Sequence, residues 1–396
     1  MGPFTIGYPM FSSRFRWDSP PNRLTQLLQQ KRGAGAAILD LSQSNPTRCG
    51  FDYPRSILTA FFEPGVLAYE PDPAGLLPAR QAVSNYYASR GWTVETDRIL
   101  LTASTSEAYA YLFKLLCNPG DEVLVPRPSY PLFEFLAKMD SVNVVQYPLL
   151  YDHGWSIDLD ALAALASPHC RALILVNPNN PTGSYLKRSE LAVVQQFCNA
   201  RGLALISDEV FSDYALTQDP ERVGSLVTGC GALTFCLNGL SKIAGLPQMK
   251  LGWIVISGPD DLRAAAMEGL HWISDTYLSV GTPVQSAASH LLEAGESVQS
   301  QIRDRTATNL RTARAVLAGS PATVLQTEGG WSVVLSVPRT RTDDEWTVTL
   351  LDQHHVLVQP GFFFDFESEA FLVLSLLTPP EIFLDGLGRL RRMLEE

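Results

Sequence analysis

The sequence predicts an α/β protein: a large domain with a mostly parallel sheet covered by helices, plus a smaller α+β domain. Three observations carry this. Short, wholly apolar runs such as Ala172-Leu173-Ile174-Leu175-Val176 and Leu203-Ala204-Leu205-Ile206 read as strands buried on both faces. Helical spacings alternate with them, which is the signature of a parallel sheet. After about residue 275 the texture changes to one long helical stretch followed by spaced strands.

Residues Asn22 to Arg32 read as a helix, capped by Asn22 and ended by Gly33-Ala34-Gly35. Ile99 to Leu101 is strand-like, and Ala108, Tyr111, Leu112, Leu115 and Leu116 follow at helical spacing. Pro119-Gly120-Asp121 is a turn. Further strands are read at Val123 to Val125, Val142 to Val145, Leu233 to Phe235 and Trp253 to Ile256, with a helix from Leu191 to Phe197. A helical stretch from Val284 to Leu317 is expected to break near Gly295. Strands at Trp331 to Val337, Val356 to Val358 and Phe371 to Leu377 precede a last helix carrying Ile382, Leu387, Leu390 and Met393. The expected partition is an N-terminal arm, residues 1–45, joined to the small domain; a large domain, 46–278; and a small domain, 279–396.

Composition excludes some functions. The chain has 396 residues, 30 basic against 41 acidic, for a net charge of −11, which disfavours nucleic-acid binding. No apolar run approaches the ~18 residues of a membrane span. The N-terminus carries neither a secretory signal nor a myristoylation motif, so a cytoplasmic location is expected. Cys49, Cys117, Cys170, Cys198, Cys230 and Cys236 are scattered and read as buried free thiols. His354-His355 reads as a solvated strand start, and no metal site is expected. Phosphate-loop, dinucleotide, zinc-protease and nucleophile-elbow motifs are all absent.

Four polar elements each follow a predicted strand. They are Thr102-Ala103-Ser104-Thr105-Ser106, Asn177-Pro178-Asn179-Asn180-Pro181-Thr182-Gly183, Ser207-Asp208-Glu209 and Gly239-Leu240-Ser241-Lys242. Ligands of open α/β sheets bind at the carboxyl ends of strands, so these elements converge on one site. Singly, each has an ordinary explanation as a helix cap, a turn or a surface lysine.

With these motifs the chain resembles the class I/II aminotransferases, fold-type I pyridoxal-phosphate enzymes, from about Asn45 to the last helix. The resemblance implies a sheet of the seven-stranded type and assigns roles. Lys242 would form the Schiff base with pyridoxal 5'-phosphate and shuttle the proton. Asp208 would keep the ring nitrogen protonated, Asn180 would donate to the phenolic oxygen, and Tyr130 would stack on the ring. Ser104, Thr105 and Ser106 would cradle the phosphate at a helix N-terminus, with Lys250 beside them. Tyr69 would reach the phosphate of a neighbouring subunit, which implies a homodimer with shared active sites.

The chain also departs from the family. Lys250 stands where an arginine is usual, so a two-pronged fork is lost. Val373 stands where an arginine usually binds the substrate carboxylate; Arg48, Arg14 and Arg16 are candidate replacements, and Phe362, in Pro360-Gly361-Phe362-Phe363-Phe364, is a candidate for the substrate side. The leading reading is an aminotransferase working between an amino donor and a keto acceptor. A lyase or cyclase of the same fold is the alternative, and a non-catalytic regulatory protein a third. Phe211 replaces a tyrosine that donates to the cofactor's phenolic oxygen; Tyr214 is the possible substitute. Without that donor the imine should keep its proton to higher pH. Phe211→Tyr is expected to lower the midpoint of a spectral pH titration, and an unmoved midpoint would count against the assignment.

Overall fold

A computed structural model describes residues 10, 12–15, 20–62 and 64–396. In chain order the strands are β1 (Leu39–Asp40), β2 (Ile99–Thr102), β3 (Glu122–Arg127), β4 (Asn143–Tyr151), β5 (Trp155–Ile157), β6 (Cys170–Val176), β7 (Ala204–Asp208), β8 (Thr234–Gly239), β9 (Gly252–Ser257), β10 (Thr323–Val324), β11 (Ser332–Ser336), β12 (Val356–Leu357), β13 (Gln359–Pro360) and β14 (Phe371–Ser375).

The large domain is built on an eight-stranded sheet of order β2-β9-β8-β7-β6-β3-β4-β5. Neighbouring strands from β8 through β4 pair in parallel, whereas β9 runs against both its neighbours and β5 against β4. The short β5 hairpin adds a strand to the seven expected. The apolar runs alternate between two layers. Ala172, Ile174, Ala204, Ile206, Ile254 and Ile256 enter one core, beside helices Thr105–Leu116 and Asp260–Tyr277. Leu173, Leu175, Leu205, Trp253 and Val255 enter the other, beside helices Leu77–Ala88, Arg188–Arg201 and Ala288–Val316. Both faces are thus dry, which is why these strands show no polar alternation.

The small domain is a four-stranded antiparallel sheet, β10-β11-β14-β13. Leu372 and Leu374 face the final helix, Pro380–Glu395, through Phe383, Leu387 and Leu390. Near the N-terminus, Asn22 accepts the Thr25 N–H at 2.8 Å and starts helix Arg23–Gly33, while β1 pairs in parallel with β12.

Two expectations change. Gly295 does not break the long helix; the interruption is at Ala287, between Thr282–Ser286 and Ala288–Val316. Gly295 is there for clearance, since a Cβ would lie 2.4 Å from the Ala244 Cβ. His354-His355 does not begin a strand. His354 ends helix Asp343–His354, and His355 caps it in the left-handed region at φ 56°. All six cysteines are free; four are buried, and Cys117 and Cys230 are part-exposed. Among the described residues no helix is long and apolar enough to cross a membrane.

Where β8 meets β9, Gly239 sits opposite Gly252. A Cβ on Gly239 would lie 2.8 Å from the Leu251 carbonyl oxygen and 2.9 Å from the Gly252 Cα, atoms of the backbone that cannot rotate aside. Gly239→Ala is therefore expected to destabilise the fold by about 1–3 kcal/mol, read as a lower urea midpoint; an unchanged midpoint would show slack between the strands.

Candidate active site

Polar residues gather where the parallel strands end. β2 leads to Ser104, Thr105 and Ser106; β3 to Tyr130; β6 to Asn180; β7 ends at Asp208; and β8 leads into the short helix Leu240–Ile243 that carries Lys242. Because β9 is reversed, its first residues lie at this same sheet end, and that brings in Lys250. All these residues line one open cleft, with Phe211 and Trp331 in its wall and Ser44 and Ser332 also lining it.

Each element has a local cause. Ser104 takes the cap position of helix Thr105–Leu116, its hydroxyl accepting the Glu107 N–H at 3.2 Å. The backbone N–H groups of Thr105 and Ser106 have no acceptor within the helix and suit an anion. Gly252 packs closely beside them, and a Cβ there would press within 3.2 Å of the Ser104 carbonyl carbon. Asn180 and Ser332 bridge the two domains, the serine hydroxyl donating to the Asn180 Oδ1 at 3.5 Å.

The two charged groups are both perturbed. Burial raises the Asp208 carboxyl from its ordinary value to about 6, against the opposing effect of the Val210 N–H and the Tyr109 hydroxyl. Tyr109 donates to Asp208 Oδ2 at 3.0 Å, and the Val210 N–H to Oδ1 at 3.2 Å. Burial lowers the Lys242 ammonium to about 8, and the Asp208 charge partly restores it. The Lys242 Nζ also lies 4.9 Å from the Trp331 ring centroid and 5.5 Å from that of Phe211, within cation–π reach.

Other predicted residues lie elsewhere. Tyr69 is 76% exposed and lines a different hollow, with Glu70 and Asp72. Arg48 is exposed at the end of the 3-10 turn Pro46–Arg48 and is not part of the cleft wall; from the same loop it is Ser44 that reaches the cleft. Arg14 is likewise exposed and apart from it. Phe362 is also outside: its ring packs edge-on against Phe363, and its N–H donates to Asp343 Oδ2 at 3.1 Å. Arg16 falls outside the described residues. Val373 is buried with Trp155, Leu325, Val334 and Phe364, an apolar cluster. Tyr214 does not stand in for the tyrosine missing at Phe211, because its hydroxyl donates to the Lys242 carbonyl at 2.5 Å.

The residues missed in the sequence are Tyr109, Trp331 and Ser332. Tyr109 meets Asp208 across 99 positions, beyond any local signal. For Trp331, the preceding Gly329-Gly330 pair was the available cue: a Cβ on Gly329 would strike Tyr185 at 2.6 Å, so the chain passes close to the large domain just there.

The residues fit pyridoxal phosphate. A desolvated carboxylate, a lysine with a depressed pKa, free helix-start N–H groups and a second lysine share one cleft, and these are the partners required by a protonated ring nitrogen, an aldehyde and a phosphate.

Comparison with known proteins agrees with this geometry. The profile of the aminotransferase class I and II family matches residues 39–382. The chain is 32% identical over 267 residues to the glutamate-pyruvate aminotransferase AlaA of Escherichia coli strain K12, covering 67% of this chain and 65% of AlaA, slightly less than two thirds of that relative's length. It is 30% identical over 374 residues to the arginine–pyruvate transaminase AruH of Pseudomonas aeruginosa, covering 92% and 91% of the two chains. Among solved structures, an aminotransferase from Escherichia coli aligns with a TM-score of 0.84 at 25% identity, covering 94% of this chain and 95% of that one. The alanine aminotransferase of Pyrococcus furiosus, at 22% identity, a TM-score of 0.83 and coverage of 94% and 96%, shares the fold. With a cleft of this composition and a family match over most of its length, the chain belongs to the aminotransferase class I and II family.

Proposed function

We propose that this protein is a pyridoxal-phosphate-dependent aminotransferase that moves an amino group from an amino donor to a keto acceptor. The observation that carries the reading is the convergence of Asp208, Lys242, Asn180, Lys250 and the start of helix Thr105–Leu116 on a single cleft. When bound, pyridoxal phosphate supplies an electron sink for the charge left on a carbon that loses its proton.

The protein's part is to bind, orient and move protons. Asp208 would face the ring nitrogen and keep it protonated; Tyr109 and the Val210 N–H occupy one oxygen each and fix the carboxylate plane. Lys242 Nζ would hold the aldehyde carbon and, once released by the donor, take the proton from the donor's amino-bearing carbon. Its depressed pKa keeps a usable fraction of free amine near neutrality. Asn180 accepts from Ser332 at its Oδ1, which leaves its amide N–H groups free, and these would donate to the phenolic oxygen. The N–H groups of Thr105 and Ser106, with Ser104 and Lys250, would hold the phosphate, and Tyr130 would cover the ring. Phe211 and Trp331 keep that wall apolar and exclude water from the lysine. We further propose that the active form is a homodimer; the exposure of Tyr69 and of its neighbour Leu67, at 76% and 90%, supports a surface that a second copy covers.

Added pyridoxal phosphate should give a visible absorption band that an amino donor bleaches and a keto acid restores. Lys242→Ala should show no such band. Release of ammonia with a keto acid, in place of restoration, would instead establish elimination chemistry. Cofactor affinity should fall as pH drops through about 6, where Asp208 takes up its proton. That limb should flatten in Asp208→Asn, whose turnover should also be lower by about 10²–10³-fold, the scale of losing one preorganised charge partner. Equal limbs in both proteins, measured by fluorescence titration, would remove Asp208 from the ring nitrogen.

A further inference from the structure

The turn that carries Lys242 has little stability of its own. Helix Leu240–Ile243 is four residues long, too short to hold itself, and helix ends leave carbonyls without partners. Here three carbonyls of the turn receive side-chain donors from three distant parts of the chain. The Tyr214 hydroxyl donates to the Lys242 oxygen at 2.5 Å, the Gln299 amide to the Ile243 oxygen at 2.7 Å, and the Tyr53 hydroxyl to the Gly245 oxygen at 2.7 Å.

The Gln299 amide is itself fixed. Its Nε2 also donates to Asp213 Oδ2 at 2.7 Å, and its Oε1 accepts from Arg303. Asp213 further accepts the Tyr86 hydroxyl at 3.0 Å and a two-pronged pair from Arg90, with Nε and Nη2 each at 2.9 Å. A carboxylate only accepts and a guanidinium only donates, so these neighbours leave the amide one orientation. Gln299 and Tyr214 are 2% and 1% exposed, so neither donor is shared with solvent. On the same helix, Gly295 brings the backbone against Ala244.

We propose that Gln299 and Tyr214 are positioning residues for Lys242: they fix the peptide from which its flexible side chain departs, and the Asp213–Arg90 pair holds Gln299 to that task. The inference rests on reading Lys242 as the reactive lysine. The clamp meets Lys242 only at its backbone. The amine itself is faced by Asp208 from β7 and by the Phe211 and Trp331 rings, with Lys250 and Tyr130 in the same cleft. Loosening the turn would let the amine swing from these neighbours into water.

The test uses the cofactor-free protein. Lys242 is labelled with trinitrobenzenesulfonate across pH, and the labelled peptide is quantified by mass spectrometry. The unaltered protein should label half-maximally near pH 8. Gln299→Met and Tyr214→Phe keep side-chain bulk and remove the donors. Each should shift the midpoint up toward that of an ordinary lysine, and a rise of one pH unit lowers reactivity at the original midpoint about fivefold. A reduced unfolding midpoint with an unmoved labelling curve would make both residues merely structural and overturn the proposal. If Gln299→Met fails to fold, Tyr214→Phe, which loses one hydroxyl, decides the matter alone. Should Lys242→Ala retain the visible cofactor band, the reading of Lys242 would fail, and the labelling curves would still report whether the clamp holds the turn.

Discussion

A carboxylate and an ammonium largely desolvated at the floor of one cleft are the constraint to which the surrounding structure answers. Neither charge is comfortable there: burial raises Asp208 and lowers Lys242, and each only partly relieves the other. Everything nearby limits that cost. Tyr109 and the Val210 N–H occupy the carboxylate oxygens, and aromatic faces lie against the ammonium. A site poised in this way favours a ligand that presents a positive nitrogen to one group and a carbonyl to the other.

Sheet topology decides which residues can share that cleft. Parallel strands deliver β2, β3, β6, β7 and β8 with their last residues on one side. The reversal of β9 is what lets a segment between strands, carrying Lys250, serve the same edge. The small domain closes the remaining wall through Trp331 and Ser332, at the start of β11. The cleft is therefore a property of both sheets together, and the Asn180–Ser332 contact is one of the points where they meet.

Much of this was legible in the sequence because the relevant signals are local. Apolar runs marked the buried strands, Asn22 marked a helix start, and the boxes around Asn180, Asp208 and Lys242 each follow a strand directly. What was not legible depends on distance in the chain. Tyr109 and Asp208, or Gln299 and Ile243, share no local pattern, and their hydrogen bonds exist only once the sheet is assembled. Gly295 misled for a related reason: glycine weakens a helix in isolation, whereas here tertiary clearance explains it. Arg48 and Phe362 were proposed by position in a resemblance, and nothing in their own sequence context could show that their side chains lie outside the cleft wall.

The Gly295 contact also bears on how the chain tolerates change. Alanine in its place would favour the helix by about 1 kcal/mol, so a survey of helix propensity alone would mark the position for improvement. The added methyl would instead meet Ala244, two residues beyond Lys242, and push on the turn that carries the lysine. A position 53 residues from Lys242 in the sequence, bearing no functional group at all, thereby bears on the geometry of the cleft. The packing of the long helix against the turn thus limits which side chain position 295 can carry.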